Sequence, residues 1–114
     1  MSECLFCKMV KGEIPVNAFY EDEQVLVIHD INPQAKTHLL LMPKVHLESL
    51  NDLEKAGDGL LAAILRAASV VAKKAGISES GYRLVSNCGK DARQSVPHLH
   101  FHILGGQTLN DQMS

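Results

Sequence analysis

The sequence predicts an α+β domain in which a five-stranded antiparallel sheet packs with one long helix and one short helix. The chain has 114 residues, enough for one domain and hardly for a second, so we treat 1–114 as a single domain. Its segments follow the order helix, three strands, long helix, two strands, and the short connections between strands favour antiparallel pairing. Such a sheet leaves a face or edge poorly covered, which favours a homodimer.

Each element follows from a local pattern. Residues 1–12 form an N-terminal segment containing a short helix that ends at a glycine. Apolar residues at three- and four-residue steps predict a long helix over 52–75, with Asn51 or Asp52 as its N-cap. The polar tail, 107–114, is expected to be flexible. Short apolar runs between turn signals predict the strands, which lie at 18–21, 24–29, 38–42, 82–87 and 96–104.

Composition and charge exclude several classes of protein. Hydrophobic residues make up 46% of the chain and the formal net charge is −2, so a charged surface for nucleic acid or an acidic membrane is not expected. The longest apolar run, 39–42, is far too short to cross a bilayer, and residues 1–4 lack the features of a secretory signal. Three cysteines, an odd number, argue against a disulfide-stapled secreted domain. We therefore expect a cytoplasmic protein.

Three of the six histidines, His98, His100 and His102, alternate with apolar residues in a predicted strand. Residues two apart share one face of a strand, so the three imidazoles would line one side. A half-exposed strand would explain this pattern without any chemistry. Two chemical interpretations remain: a zinc held by all three histidines that activates a water, and a nucleophilic imidazole whose neighbours hold anionic oxygens. The loop at 87–95 favours the second interpretation because its amides and hydroxyl can donate to a phosphate.

Two blocks of the sequence resemble the histidine-triad (HIT) family, and in particular its histidine triad nucleotide-binding branch. Residues 94–106, QSVPHLHFHILGG, contain the motif His-φ-His-φ-His-φ-φ, in which φ is apolar. Residues 29–38, HDINPQAKTH, are similar to that branch nearly residue by residue, and 43–46 and 81–83 also fit. The resemblance runs from about residue 4 to 106, and it implies a HIT-like fold and a homodimer.

The resemblance implies a hydrolase of purine nucleoside phosphoramidates or related esters, which works through a covalent nucleotidyl intermediate on His100. His102, His38 and Ser95 would complete the catalytic group, and no cofactor is needed for this chemistry. A nucleotide-binding scaffold with little turnover is the alternative from the same family. Together with the loop donors, the residues assigned to nucleotide binding are Asp30, Ile31, Asn87, Gly89, Arg93, Gln94, Ser95, His100 and His102.

Purely structural interpretations exist for four of these residues. Asn87 could be a strand-end residue, and Ser95 could be an ordinary loop serine. Asp30 precedes Asn-Pro and could simply cap a turn, and His38 could be a hydrogen-bonded core histidine. The loop also departs from the family, which usually has Gly-Gly before Gln-Ser where this chain has Ala92-Arg93. A glycine would allow close approach of the backbone to phosphate or a positive φ. Arg93 must therefore either accept strain or reshape the loop, and it could add a cation near the phosphates.

Cys4 and Cys7 form a Cys-x-x-Cys pair, which is a weak signal alone. No strand precedes it, so a thioredoxin-like redox pair is not expected. Some bacterial members of the family resemble this chain here, and the resemblance implies a structural zinc on the two cysteines, His46 and His98. Two reduced buried thiols are the alternative. Cys88, which could be modified, and His29 receive no clear task.

Overall fold

A computed structural model describes residues 4–111 as an open antiparallel sheet of five strands with a helix on each face, which confirms the predicted fold class. The expectations for residues 1–3 and 112–114 lie outside the described residues. The strands are ordered β1-β2-β3-β5-β4 across the sheet. In chain order the elements are α1 (Leu5–Val10), β1 (Ala18–Glu21), β2 (Val25–His29), β3 (Thr37–Pro43), a 3₁₀ helix (Leu50–Lys55), α2 (Asp58–Lys74), β4 (Tyr82–Val85) and β5 (Phe101–Gly105).

The two faces of the sheet have different coverings. Leu39 and Leu41 belong to the core that α2 closes, together with Val71 of that helix. Because side chains alternate along a strand, the residues between them face the other way. There Met42 packs with Phe6 in a second cluster under α1. The α1 face is also the side that bears the histidines, since Leu40 lies opposite His102 in the pairing of β3 with β5.

Cys4 begins α1 as its N-cap. Its Sγ accepts a hydrogen bond from the Cys7 backbone N–H at 3.3 Å, which satisfies an N–H group of the first turn. Gly12, with φ 81°, turns the chain away after the helix. The short helix is therefore confirmed. It is stabilised by a cysteine that the sequence also predicts to bind metal.

The prediction of one helix over 52–75 is wrong in its first part. The backbone is extended at Gly57, with ψ 160°, and this separates a 3₁₀ helix from α2. Glycine loses more conformational entropy in a helix than other residues, so the break falls where helix propensity is weakest. Ser49 caps the 3₁₀ helix by accepting from a backbone N–H at 3.1 Å, in place of the predicted Asn51 or Asp52.

The predicted strand over 96–104 pairs regularly only from Phe101. Pro97 has no N–H to donate to a ladder. The His98 N–H bends back to the carbonyl two residues earlier at 2.8 Å, and the Leu99 N–H bonds to the loop after β3. The first two triad histidines therefore lie in an irregular approach to β5. Similarly, β4 is two residues shorter at its end than the predicted 82–87.

Part of the tail contacts the sheet. The Gln107 side chain accepts from the Lys36 backbone N–H at 2.7 Å, and the Arg83 guanidinium donates to the carbonyl of Asn110. Within residues 4–111, each helix is too short or too polar to cross a bilayer.

Candidate functional site

His100 is held in one tautomer by the backbone. Its Nδ1 lies 2.7 Å from the carbonyl oxygen of His98, which can only accept, so Nδ1 carries the proton. Nε2 is then the nitrogen with a free lone pair. The ring is buried and packs edge-to-face against Phe6, with 5.0 Å between ring centroids. An imidazole fixed in this way presents a directed nucleophile.

A second hydrogen-bonded group joins β3 to β5. The Gln34 backbone N–H donates to His38 Nδ1 at 2.9 Å, so the proton of His38 is on Nε2. That Nε2 lies 2.9 Å from His102 Nδ1 and 3.3 Å from Asp30 Oδ2. His102 Nδ1 accepts, and its own proton is therefore on Nε2. The structure brings these three predicted residues together, and it leaves His102 with an N–H free to donate.

Burial keeps these imidazoles uncharged. It lowers the pKa of His38, and the negative charge of Asp30 opposes that shift only in part. Burial also lowers the pKa of His102; the neighbouring His100 and His38 lower it further, and Asp30 acts against them. At neutral pH both rings are therefore neutral, and hydrogen bonds, not a fixed positive charge, are what they offer to an anion.

The loop between β4 and β5 is pinned by Gln94. Its Oε1 accepts from the Gly89 N–H at 2.9 Å, and its Nε2 donates to the carbonyls of Glu48 and Val96 at 2.7 and 2.9 Å. Arg93 takes a φ of 60°, so of the two outcomes foreseen for this departure the chain accepts backbone strain. The loop is therefore shaped by internal bonds, and its roles toward a nucleotide stay predictions.

The remaining predicted residues differ in their exposure and contacts. Ile31 is 90% exposed, so its side chain is open to contact a ligand. Asp30 Oδ1 accepts from the Asn32 N–H at 2.7 Å, which is the turn cap expected from the sequence, while its other oxygen faces His38. Asn87 lines a cavity beside His102, and Ser95 is exposed on the loop.

Cys4, Cys7, His46 and His98 form a compact cluster whose four ligand atoms lie within 4.8 Å of one another. His98 Nδ1 is 3.3 Å from Cys4 Sγ and 3.2 Å from His46 Nδ1. Cys7 Sγ is 3.2 Å from His46 Nδ1 and 3.6 Å from His98 Nδ1. His98 Nε2 donates to the Pro43 carbonyl at 2.8 Å, which leaves Nδ1 free to coordinate. Two thiols and two imidazoles in this arrangement fit a tetrahedral zinc and its supporting hydrogen bond.

Burial raises the pKa of the Cys7 thiol, and the adjacent Cys4 raises it further. Without a cation the site therefore favours the protonated form of the Cys7 thiol. A divalent metal reverses that preference because it stabilises thiolate directly.

The three triad histidines do not converge on one point. His98 belongs to the cysteine cluster and His102 to the cluster around His38, and His100 is in neither of these candidate metal clusters, which are the ones formed by residues 4–111. His38 is also poorly suited to metal through Nε2, because the Gln34 N–H occupies Nδ1 and keeps the proton on Nε2. The geometry thus disfavours a zinc held by all three triad histidines.

Two residues that the sequence did not single out stand close to the site. Phe6, between the two cysteines, contacts the rings of both His98 and His100. Arg83 lines the cavity beside His102. The sequence could have indicated Phe6 only through its position inside the Cys-x-x-Cys pair. Arg83 could not be placed at the site without the strand register.

Comparisons with known proteins agree with this geometry. The family model for the HIT domain matches residues 11–109 of this chain. The 14 kDa zinc-binding protein of Zea mays is 48% identical over 112 residues, covering 96% of this chain and 86% of the relative. The purine nucleoside phosphoramidase of Escherichia coli K12 is 36% identical over 112 residues, covering 98% and 94%. The structure of a HIT family hydrolase from Clostridium thermocellum superposes with a TM-score of 0.94 at 43% identity, covering 100% and 99%.

Proposed function

The chain belongs to the HIT-domain family, and from that membership we propose that it is a hydrolase of purine nucleoside phosphoramidates that uses His100 as its nucleophile. The observation that carries the proposal is the tautomer of His100. Its Nδ1–H is bound to the His98 carbonyl, so the reactive lone pair is on Nε2. The name of the phosphoramidase relative supports the choice of substrate class.

The proposed reaction has two displacements at phosphorus. His100 Nε2 forms a bond to the phosphorus as the P–N bond to the amine breaks, and the amine keeps the electron pair and takes up a proton from solvent. Water then attacks the same phosphorus and releases the nucleoside monophosphate and free His100. Dividing the reaction into two steps replaces one difficult displacement with two easier ones.

His102 donates from Nε2 to a phosphate oxygen, and His38 positions it by donating to its Nδ1. The support for this role is the Gln34 N–H, which fixes the proton of His38 on the nitrogen that faces His102. Ser95 lies on the adjoining loop, near the phosphate and the leaving group.

Nucleotide binding is assigned to both sides of the histidines. Asp30 accepts from ribose hydroxyls with the oxygen that faces His38, and Ile31, which is exposed, contacts the base. On the loop side, the donors proposed for the phosphate are Asn87, Gly89, Arg93, Gln94 and Ser95.

We also propose a structural zinc on Cys4, Cys7, His46 and His98, which is supported by their geometry and by the name of the maize relative. The metal would fix α1 on the sheet beside His100 and take no part in the chemistry. The proposed homodimer is supported by the open edges of the sheet, which are β1 and β4 among the described strands.

Turnover of an adenosine 5′-phosphoramidate tests the function. We expect His100→Ala to lower kcat by at least about a thousandfold, because no other group can replace the covalent nucleophile. His29→Ala is the matched control, since His29 is an exposed histidine that packs on Phe19. Wild-type enzyme that is denatured in alkali during turnover should carry a nucleotidyl group on His100, because the P–N bond to histidine survives alkali. Equal rates for wild type and His100→Ala would refute the nucleophile, and wild type that binds nucleotide without turnover would support the scaffold.

A further inference from the structure

A cavity of about 410 Å³ lies beside His102, on the side of the sheet nearest β4. Its walls include Arg83, Asn87 and Gln107. This volume is typical of a small-molecule site. The described residues that line it come from β3, β4, β5, the segments after β4 and β5, and the β2–β3 loop, which contributes Gln34, and none of them comes from β1 or β2 or is Asp30.

The strand register places Arg83 in one row with the ribose side of the proposed site. The Asp30 backbone N–H donates to the His38 carbonyl. In the strand pairing, His38 lies opposite Leu104, and Leu104 lies opposite Arg83. Residues paired across antiparallel strands share a face, so the row runs across the histidine side of the sheet. Asp30 and Arg83 stand at its two ends, separated by three strand spacings or about 14 Å.

In the proposed reaction the nucleoside occupies the Asp30 end and the phosphorus lies between His100 and His102. The leaving group, which is the second substituent on phosphorus, then occupies the side of the site nearest β4. That side is the cavity of Arg83 and Asn87. The row of residues therefore orders nucleoside, phosphorus and leaving group across the sheet.

Arg83 is half-buried without an acidic partner. Its guanidinium donates to the backbone carbonyl of Asn110, and no carboxylate among residues 4–111 lies within ion-pair distance of it. A guanidinium has five N–H donors in a planar fork that matches a carboxylate or a phosphate. Shielded charges in proteins are normally paired, so a half-buried arginine in a substrate-sized cavity is suited to an anion.

We propose that this cavity is a leaving-group subsite in which Arg83 binds a second anionic group of the substrate. The substrate class is a nucleoside monophosphate joined by a P–N bond to an amine that carries a carboxylate or a phosphate-like group. As the P–N bond breaks, the nitrogen keeps the electron pair and gains a proton from water, while the anion of the departing amine stays paired with Arg83. This inference rests on the proposed function.

Three substrates of similar size test the subsite: adenosine 5′-monophosphate joined through nitrogen to alanine, to alaninamide and to aminomethylphosphonate. The wild type should turn over the alanine or phosphonate compound with a kcat/KM about tenfold above that of the neutral alaninamide compound. Arg83→Gln should abolish this gain and leave the alaninamide rate within about twofold. Arg66→Gln, an exposed arginine of α2, should keep the gain.

Each result decides the matter. A gain for carboxylate alone, phosphonate alone or both supports the subsite and identifies the anion, whereas equal rates for all three substrates in the wild type overturn it. If Arg83→Gln lowers the melting temperature, Arg83→Lys replaces it, because lysine retains the charge without the planar fork. Full retention of the gain in Arg83→Gln counts against Arg83, and so does absence of the gain in the wild type. Turnover of none of the three would reject the proposed function itself, a failure distinct from equal rates.

Discussion

At the scale of single residues, Arg93 shows how the loop accommodates an arginine where the family usually has glycine. Among residues 4–111 it is the one non-glycine residue with a positive φ, 60°. The neighbouring bonds from the Arg93 N–H to the Lys90 carbonyl and from the Gln94 N–H to the Gly89 carbonyl hold the turn in place. The loop thus keeps the backbone conformation that suits glycine and places a cation there instead.

Arg93→Gly should stabilise the protein. A left-handed conformation costs a residue with a Cβ about 1–2 kcal/mol. Glycine avoids this cost, but its greater freedom in the unfolded chain offsets about 0.4–1 kcal/mol of the gain. We expect a net gain of about 0.5–1 kcal/mol in the free energy of unfolding by urea denaturation. Arg93→Ala is the control because it removes the charge and keeps the strain. Equal stability of the two variants would show that the strain is not present.

The same two variants address catalysis. If the Arg93 charge acts near the phosphates, both should change kcat/KM unequally across substrates of different charge, and unchanged kinetics over such a series would contradict that role.

At the scale of elements, α1 connects the cluster of two cysteines and two histidines to His100, the proposed nucleophile. Phe6 is 3% exposed and lies on the helix between the two cysteines, and its ring meets His98 and His100 at centroid distances of 5.7 and 5.0 Å. His98 in turn accepts the Nδ1–H of His100. The position of α1 therefore bears directly on the orientation of the His100 imidazole.

Phe6→Leu should lower kcat about three- to tenfold with little change in KM. Edge-to-face ring contacts are worth about 0.5–1.5 kcal/mol beyond burial, and leucine fills much of the volume without them. Metal content should be unchanged, because both cysteines remain. Leu5→Ala, on the same helix and 43% exposed, is the control. An unaltered kcat in Phe6→Leu would mean that the ring does not position His100.

Periodicity in the sequence predicted most elements, and it failed where a backbone group decided the structure. The strand over 38–42 was predicted within one residue at each end because a buried apolar run next to a proline permits little else. The helix break falls at Gly57, a weak helix former that the apolar period passes over, and the irregular path before Phe101 depends on the bond from the Leu99 N–H to the distant Leu47 carbonyl. In the site, the grouping of the two cysteines with His46 and His98 followed from resemblance, while the tautomer of His38 and the row ending at Arg83 required coordinates.

At the scale of the whole molecule, the two faces of the sheet have different roles: one contains the apolar core and the other carries the candidate site. The α2 face is a continuous apolar core. The α1 face carries buried His38, His98 and His100, each hydrogen-bonded, and a short helix covers only part of it. A six-residue helix is marginal on its own. The fold of this face therefore needs a further constraint, which a metal bound to both α1 and the sheet would supply.

Purified protein should contain one zinc per chain, and its removal should lower the melting temperature by about 10–20 °C. Zinc at several hundred times its dissociation constant stabilises the folded state by about 3–4 kcal/mol, and a domain of this size shifts by several degrees for each kcal/mol. Cys4→Ala should lose the zinc and its response to chelator, whereas Cys88→Ala, which removes a thiol bonded to Ser49 outside the cluster, should keep both. Stoichiometric zinc in Cys4→Ala would place the metal elsewhere. Because α1 holds Phe6 against His100, chelator should also slow turnover in the wild type, and added zinc should restore turnover and melting temperature together.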